Sequence, residues 1–123
     1  MDAKRDAGVE LHTKKVLESA GWIFQLISGL ILALLVTFHF FETHLVSHSA
    51  MDYENVVARL TDIPHKVMYA VLLLSVSFHA FNGLRAILLD TNFGAENTRS
   101  VNIILFFAVF VAFAYGLLLL IEF

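Results

Sequence analysis

Apolar residues in this 123-residue chain fall into three long runs separated by two short polar stretches. The runs cover about residues 21–46, 65–89 and 101–121. As helices rising 1.5 Å per residue, each is long enough to cross a hydrocarbon layer about 30 Å thick. The pattern predicts an all-α membrane protein with three transmembrane helices. It forms one domain over residues 1–123, opened by a polar segment at residues 1–20. Gln25, His39, Glu42 and His44 interrupt the first run, whereas the third carries no charged residue and has Asn102 near its start. The first connection, residues 47–64, has room for a short surface helix around residues 53–60. Pro64 suits the first turn of the helix that follows. The second connection, residues 90–100, reads as turn from Asn92, Gly94 and Asn97.

Charge orients these spans. Lys4, Arg5, Lys14 and Lys15 precede the first run, and Arg99 lies in the second connection with Arg85 just inside the second run. The first connection offers Arg59, with Lys66 at its edge. The positive-inside rule then places the N-terminus and the second connection in the cytoplasm, and the C-terminus outside. Composition agrees with a membrane setting: 59% of residues are hydrophobic and 15% charged, against roughly 25% charged in soluble domains. A net charge of −3 without a basic patch leaves no footprint for nucleic acid. The absence of cysteine excludes disulfides and cysteine-held iron–sulfur clusters within the chain. The length of the first run argues against a cleaved secretory signal, and Asp2, Asp6, Glu10 and Glu18 argue against a transit peptide.

Few polar side chains fall inside the spans, and His79 leads them. An imidazole in hydrocarbon is costly and marks a functional site by default. It is also a common axial ligand of haem iron. Ser75, His79 and Gly83 recur every four residues and share a helix face. Small residues one turn either side of the histidine would let a porphyrin lie against the backbone; close helix packing is the alternative. His39 is the second candidate ligand, on a stripe with Ser28, Leu32 and Leu35, nearer the outer surface. Histidines at two depths suit two haems stacked across the bilayer, and the alternative for His39 is an interfacial hydrogen bond. Arg85 suits a haem propionate, a quinone oxygen or a lipid phosphate. Trp22, Gln25, Ser28 and Asp90 are the candidate quinone-binding residues, with interfacial anchoring, interhelical bonding and helix capping as the plainer readings. Glu42 reads mainly as a side chain reaching water, and His44, His48 and His65 as residues at or beyond the outer boundary. Three helices do not easily enclose a cofactor, so a larger complex is expected.

The string His79-x3-Gly83-Leu-Arg85-x4-Asp90 resembles the second-helix signature of the membrane-anchor (cytochrome b) subunits of succinate:quinone oxidoreductases and fumarate reductases. Ser28-Gly29 followed by His39 is similar to the first helix of the dihaem members. The resemblance covers all three spans. It implies haem b ligated by His79 and by His39, two haems in all, with electrons passing to and from quinone. Single-chain dihaem anchors of that family have five helices, so three here imply half of a two-subunit haem-binding bundle. A flavoprotein and an iron–sulfur subunit would complete the enzyme, with the dicarboxylate site outside this chain, in a prokaryotic plasma membrane rather than a mitochondrial inner membrane. The sequence departs from the family pattern at Leu26, where many single-haem anchors carry a quinone-binding arginine, and at Thr91, where some carry a tyrosine. The rival readings are a haem-free structural anchor and a different small cytochrome b of a quinone-linked oxidoreductase. A proton-relaying transporter lacks the broken helices such proteins use.

Overall fold

The computed structural model describes the backbone from Asp2 to Phe123, and the side chains of these residues except 2–5 and 17–18. The side chains of Asp2, Lys4, Arg5 and Glu18, on which the orientation and transit-peptide expectations drew, therefore lie outside the described residues. Five helices follow in order: α1 (Asp2–His44), α2 (Tyr53–Thr61), α3 (Ile63–Leu89), α4 (Asn92–Glu96) and α5 (Thr98–Glu122). Three of them, α1, α3 and α5, are long and apolar enough to cross a membrane. The short surface helix expected in the first connection is α2.

Two boundaries differ from the sequence expectation. From Asp2 on, the polar segment is not separate from the first span; it belongs to α1 as one helix. Residues 2–20 contain neither proline nor a turn cluster, so nothing in them breaks a helix once α1 is nucleated. The second connection is mostly helical as well. Thr91 caps α4, its hydroxyl accepting from Gly94 N at 3.0 Å. Gly94 is required there, because a Cβ would sit 1.8 Å from the Leu88 carbonyl oxygen.

The start of α3 is set by Asp62, whose carboxylate accepts the His65 backbone N–H at 3.3 Å. Pro64 occupies the first turn, where its missing N–H costs nothing. Among the described elements α3 is the middle one, packing against both α1 and α5, while α1 and α5 have at most a marginal pairing. Gly116 of α5 brings that helix onto α3: a Cβ there would lie 2.7 Å from Leu73 Cδ1.

Polarity is distributed inside-out. Trp22, Leu34, Phe107 and Ile121 are each more than 65% exposed, whereas Ser28 and Thr43 are buried at 7% and 5%. A hydrocarbon solvent accounts for this, because there apolar side chains have no reason to hide and polar ones do.

Candidate functional site

The His79 site lies between α1 and α3, toward the α4 end of the bundle. Gly29 on α1 lets the helices close: a Cβ there would stand 3.1 Å from His79 Cε1 and 3.6 Å from Nδ1. Ser28 Oγ is 3.1 Å from His79 Nδ1. The same hydroxyl donates to the Gln25 carbonyl at 3.0 Å. The Gln25 amide nitrogen reaches across α3, 3.4 Å from the His79 carbonyl oxygen and 3.5 Å from the ring Nε2. Asn82 holds that amide from the other side, donating to Gln25 Oε1 at 3.0 Å. Phe24 and Phe78 meet edge to face beside the network, with ring centroids 6.3 Å apart. His79 lines a membrane-facing cleft of about 410 Å³ with Trp22, Gln25, Leu26, Gly29 and Leu30.

The structure sorts the residues singled out by sequence. It brings Trp22, Gln25, Ser28 and His79 together. Gly83 seats Gln25, whose Nε2 would lie 2.9 Å from an added Cβ. Ser75 is half-buried on α3 but lines neither histidine cleft. Arg85 turns to α5, donating from Nε to Asn102 Oδ1 at 2.7 Å. Asp90 caps the end of α3, its backbone N–H bonded to the Ala86 carbonyl while the Thr91 N–H bonds that of Leu88, and its side chain is exposed. Asn82 was not singled out by sequence. Its position three residues past His79, on the same side of the helix, was the available signal.

His39 lies at the other end. It is eleven residues beyond Ser28 on α1, or about 16 Å along the axis. Its ring meets Tyr69 edge to face at 5.4 Å. It lines a second cleft of about 410 Å³, walled by Tyr69, Leu72, Val76, Gly116 and Leu120 and closed by Leu60 of α2. His39 Nδ1 is buried without a hydrogen-bond partner. One turn on, Glu42 does not simply reach water: its Oε1 is 2.6 Å from His65 Nε2, and its Oε2 is buried and unpartnered. His65 Nδ1 also bonds Asp62. Both nitrogens of His65 thus face carboxylates, an arrangement that suits an imidazolium with an N–H for each. The hydrogen bond from the His65 side chain, reinforced by its backbone N–H, holds the Asp62 carboxyl below its ordinary pKa.

The donor chemistry of both histidines is compatible with haem b. Each lines a cleft within the size range of cofactor pockets. His79 Nε2 has only a contact too long for a strong hydrogen bond, whereas the unpartnered nitrogen of His39 is the buried Nδ1 rather than one presented to the cleft. Among the described residues no three His, Cys, Asp or Glu side chains converge on a metal-sized point. Each histidine offers one imidazole, the donor type of an axial haem ligand.

Comparison with known proteins gives a consistent result. Residues 1–119 match the family described as succinate dehydrogenase/fumarate reductase transmembrane subunit. A relative from Archaeoglobus fulgidus, a succinate dehydrogenase hydrophobic membrane anchor subunit, is 52% identical over 113 residues, covering 91% of this chain and 97% of the relative. No solved structure matches the chain. The chain belongs to the succinate dehydrogenase/fumarate reductase transmembrane subunit family and is an integral membrane protein.

Proposed function

We propose that this anchor subunit holds haem b and carries electrons between an iron–sulfur subunit and membrane quinone. His79 is the axial ligand of one haem and His39 of a second. The observation that carries the reading is the setting of His79. Its ring is pinned at Nδ1 by Ser28 and packed on Gly29, while Nε2 faces only a 3.5 Å amide contact beside a membrane-facing cleft. Such outer-layer partners fix the orientation and basicity of a ligating imidazole. Haem bound there would supply a one-electron carrier.

The chain's own residues do the rest. Trp22 and Gln25 shape the cleft mouth, and the Gln25 amide is a donor for a quinone carbonyl. Ser75 and Gly83 stand one turn either side of the ligand, and Arg85 offers charge toward the cytoplasmic side. Because each histidine stands alone, a second anchor subunit supplies the opposing ligands. A flavoprotein carries the dicarboxylate site and, with the iron–sulfur subunit, docks at the N-terminal end of α1. This subunit is itself non-catalytic. The N-terminus lies in the cytoplasm, the C-terminus outside, and the membrane is a prokaryotic plasma membrane.

One observation favours a second reading. Ser28 and Gln25 give each ring nitrogen of His79 a neighbour within the chain, so a haem-free anchor would leave no orphan there. A reduced-minus-oxidised spectrum of the native complex, with haem counted per flavin, separates the readings. Two b-type haems per flavin are expected. One would remove His39 from the ligand set, and none would establish the haem-free anchor.

A further inference from the structure

The hydrogen bonds around His79 determine which of its nitrogens carries the proton. Ser28 has one hydroxyl proton and two near neighbours, the Gln25 carbonyl oxygen at 3.0 Å and His79 Nδ1 at 3.1 Å. A carbonyl oxygen can only accept, so the Ser28 proton goes to Gln25. His79 Nδ1 must then be the donor in its contact with Ser28 Oγ.

The longer contacts of the Gln25 amide are compatible with the same tautomer. The His79 carbonyl can only accept, which fixes the nitrogen end of the Gln25 amide against it. Asn82, donating to Gln25 Oε1, fixes the other end. The nitrogen 3.5 Å from His79 Nε2 therefore carries N–H groups, a contact too long to set the tautomer by itself but compatible with a lone pair on Nε2. An imidazole with a proton on Nδ1 and a lone pair on Nε2 is the neutral tautomer that binds a metal through Nε2.

We propose that Ser28 is a positioning residue that sets the tautomer of His79, taking the Nδ1 proton as acceptor and leaving a lone pair on Nε2, from which the Gln25 amide, 3.5 Å away, withdraws for iron to approach. This rests on the haem reading of His79 above and adds to it a residue whose hydroxyl tunes the ligand. An acceptor at Nδ1–H makes the imidazole a stronger electron donor, which favours ferric over ferrous iron. Ser28 is thereby assigned to the ligand rather than to quinone.

The test uses the assembled complex with Ser28→Ala and Ser28→Thr. With haem present, Ser28→Ala keeps the haem-to-flavin ratio, raises the midpoint potential of one component and changes its low-spin EPR signal. Ser28→Thr, which keeps the hydroxyl, restores both. A Ser28→Ala complex with wild-type potential and EPR signal would overturn the assignment. Absence of haem in the wild type would instead defeat the haem reading, and the tautomer is then read directly. In complex labelled with ¹⁵N-histidine, the signal lost in His79→Gln identifies His79. It should report Nδ1–H in the wild type and a mixture of tautomers in Ser28→Ala. A wild-type His79 protonated at Nε2 would reject the proposal with or without haem.

Discussion

The two histidine sites sit on one pair of helices and are built by opposite means. Around His79 every hydrogen-bonding neighbour is a neutral side chain or backbone carbonyl: Ser28, Gln25 and Asn82, with no carboxylate in the network. Around His39 the neighbourhood is ionic, with Glu42, His65 and Asp62 bonded in series one turn away, and the ring itself has an orphaned nitrogen. Depth explains the difference. Charge deep in hydrocarbon is expensive, so a site there is held by dipoles, whereas near a membrane boundary water and ion pairs become affordable. One site holds its imidazole by neutral hydrogen bonds, and the other leaves a buried ring nitrogen unpartnered.

The sharpest way to break this comparison is to remove each histidine in turn. His79→Ala should abolish the α-band of one b-type haem in the purified complex, and His39→Ala should remove a second, separately titrating component while sparing the first. An unchanged haem-to-protein ratio in either variant would strike that residue from the ligand set. A smaller effect is expected at Gly29, where a side chain would drive into the His79 ring. Gly29→Val should cost about 1–3 kcal/mol by overpacking and lower haem occupancy at the His79 site alone. Thermal unfolding together with the haem count would measure both.

The ionic end should respond more gently. Glu42→Gln removes a pair whose His65 and Glu42 side chains are 31% and 18% exposed, and a loss of roughly 0.2–1 kcal/mol is expected. A midpoint of thermal unfolding equal to wild type would show the pair to be idle. The smallest effect concerns pH. The Asp62 carboxyl is held below its ordinary value in the folded chain, so its contribution is present above the unfolded-state pKa and is lost as pH falls through the lowered one. Asp62→Asn should flatten the acid limb of stability against pH while leaving the His79 haem spectrum unchanged. An acid limb as steep as wild type would place the titration elsewhere.

Much of the fold was legible because length and hydropathy are enough to find spans. The three helices and α2 stand where the runs and the polar gap put them. What was not legible is which face meets which helix. In lipid a span is apolar all round, so periodicity has little contrast from which to read a packing face. Gly83 was read equally as space for a porphyrin or as a close helix contact, and the side chain it meets across helices is Gln25. Arg85 was weighed against anionic partners, and its Nε found Asn102, a residue of α5 noted only as a lone polar side chain. Glu42 found His65 across 23 positions. Each of these pairings joins two helices, and neither member's local sequence points to the other. His79, Ser28, Gln25 and Trp22 were legible because a polar residue in an apolar run is conspicuous before its partner is known.

The continuity of α1 has a mechanical consequence. Its 43 residues form one helix, which at 1.5 Å per residue is a rod about 64 Å long, twice the thickness of the hydrocarbon it crosses. No hinge separates the polar half from the turn that carries Gln25, Ser28 and Gly29. A grip on the protruding half therefore fixes the azimuth of the inner one, and a small twist applied there would be delivered, undissipated, to the imidazole of His79. The orientation of the helix end and that of the His79 ring are then two readings of a single torque.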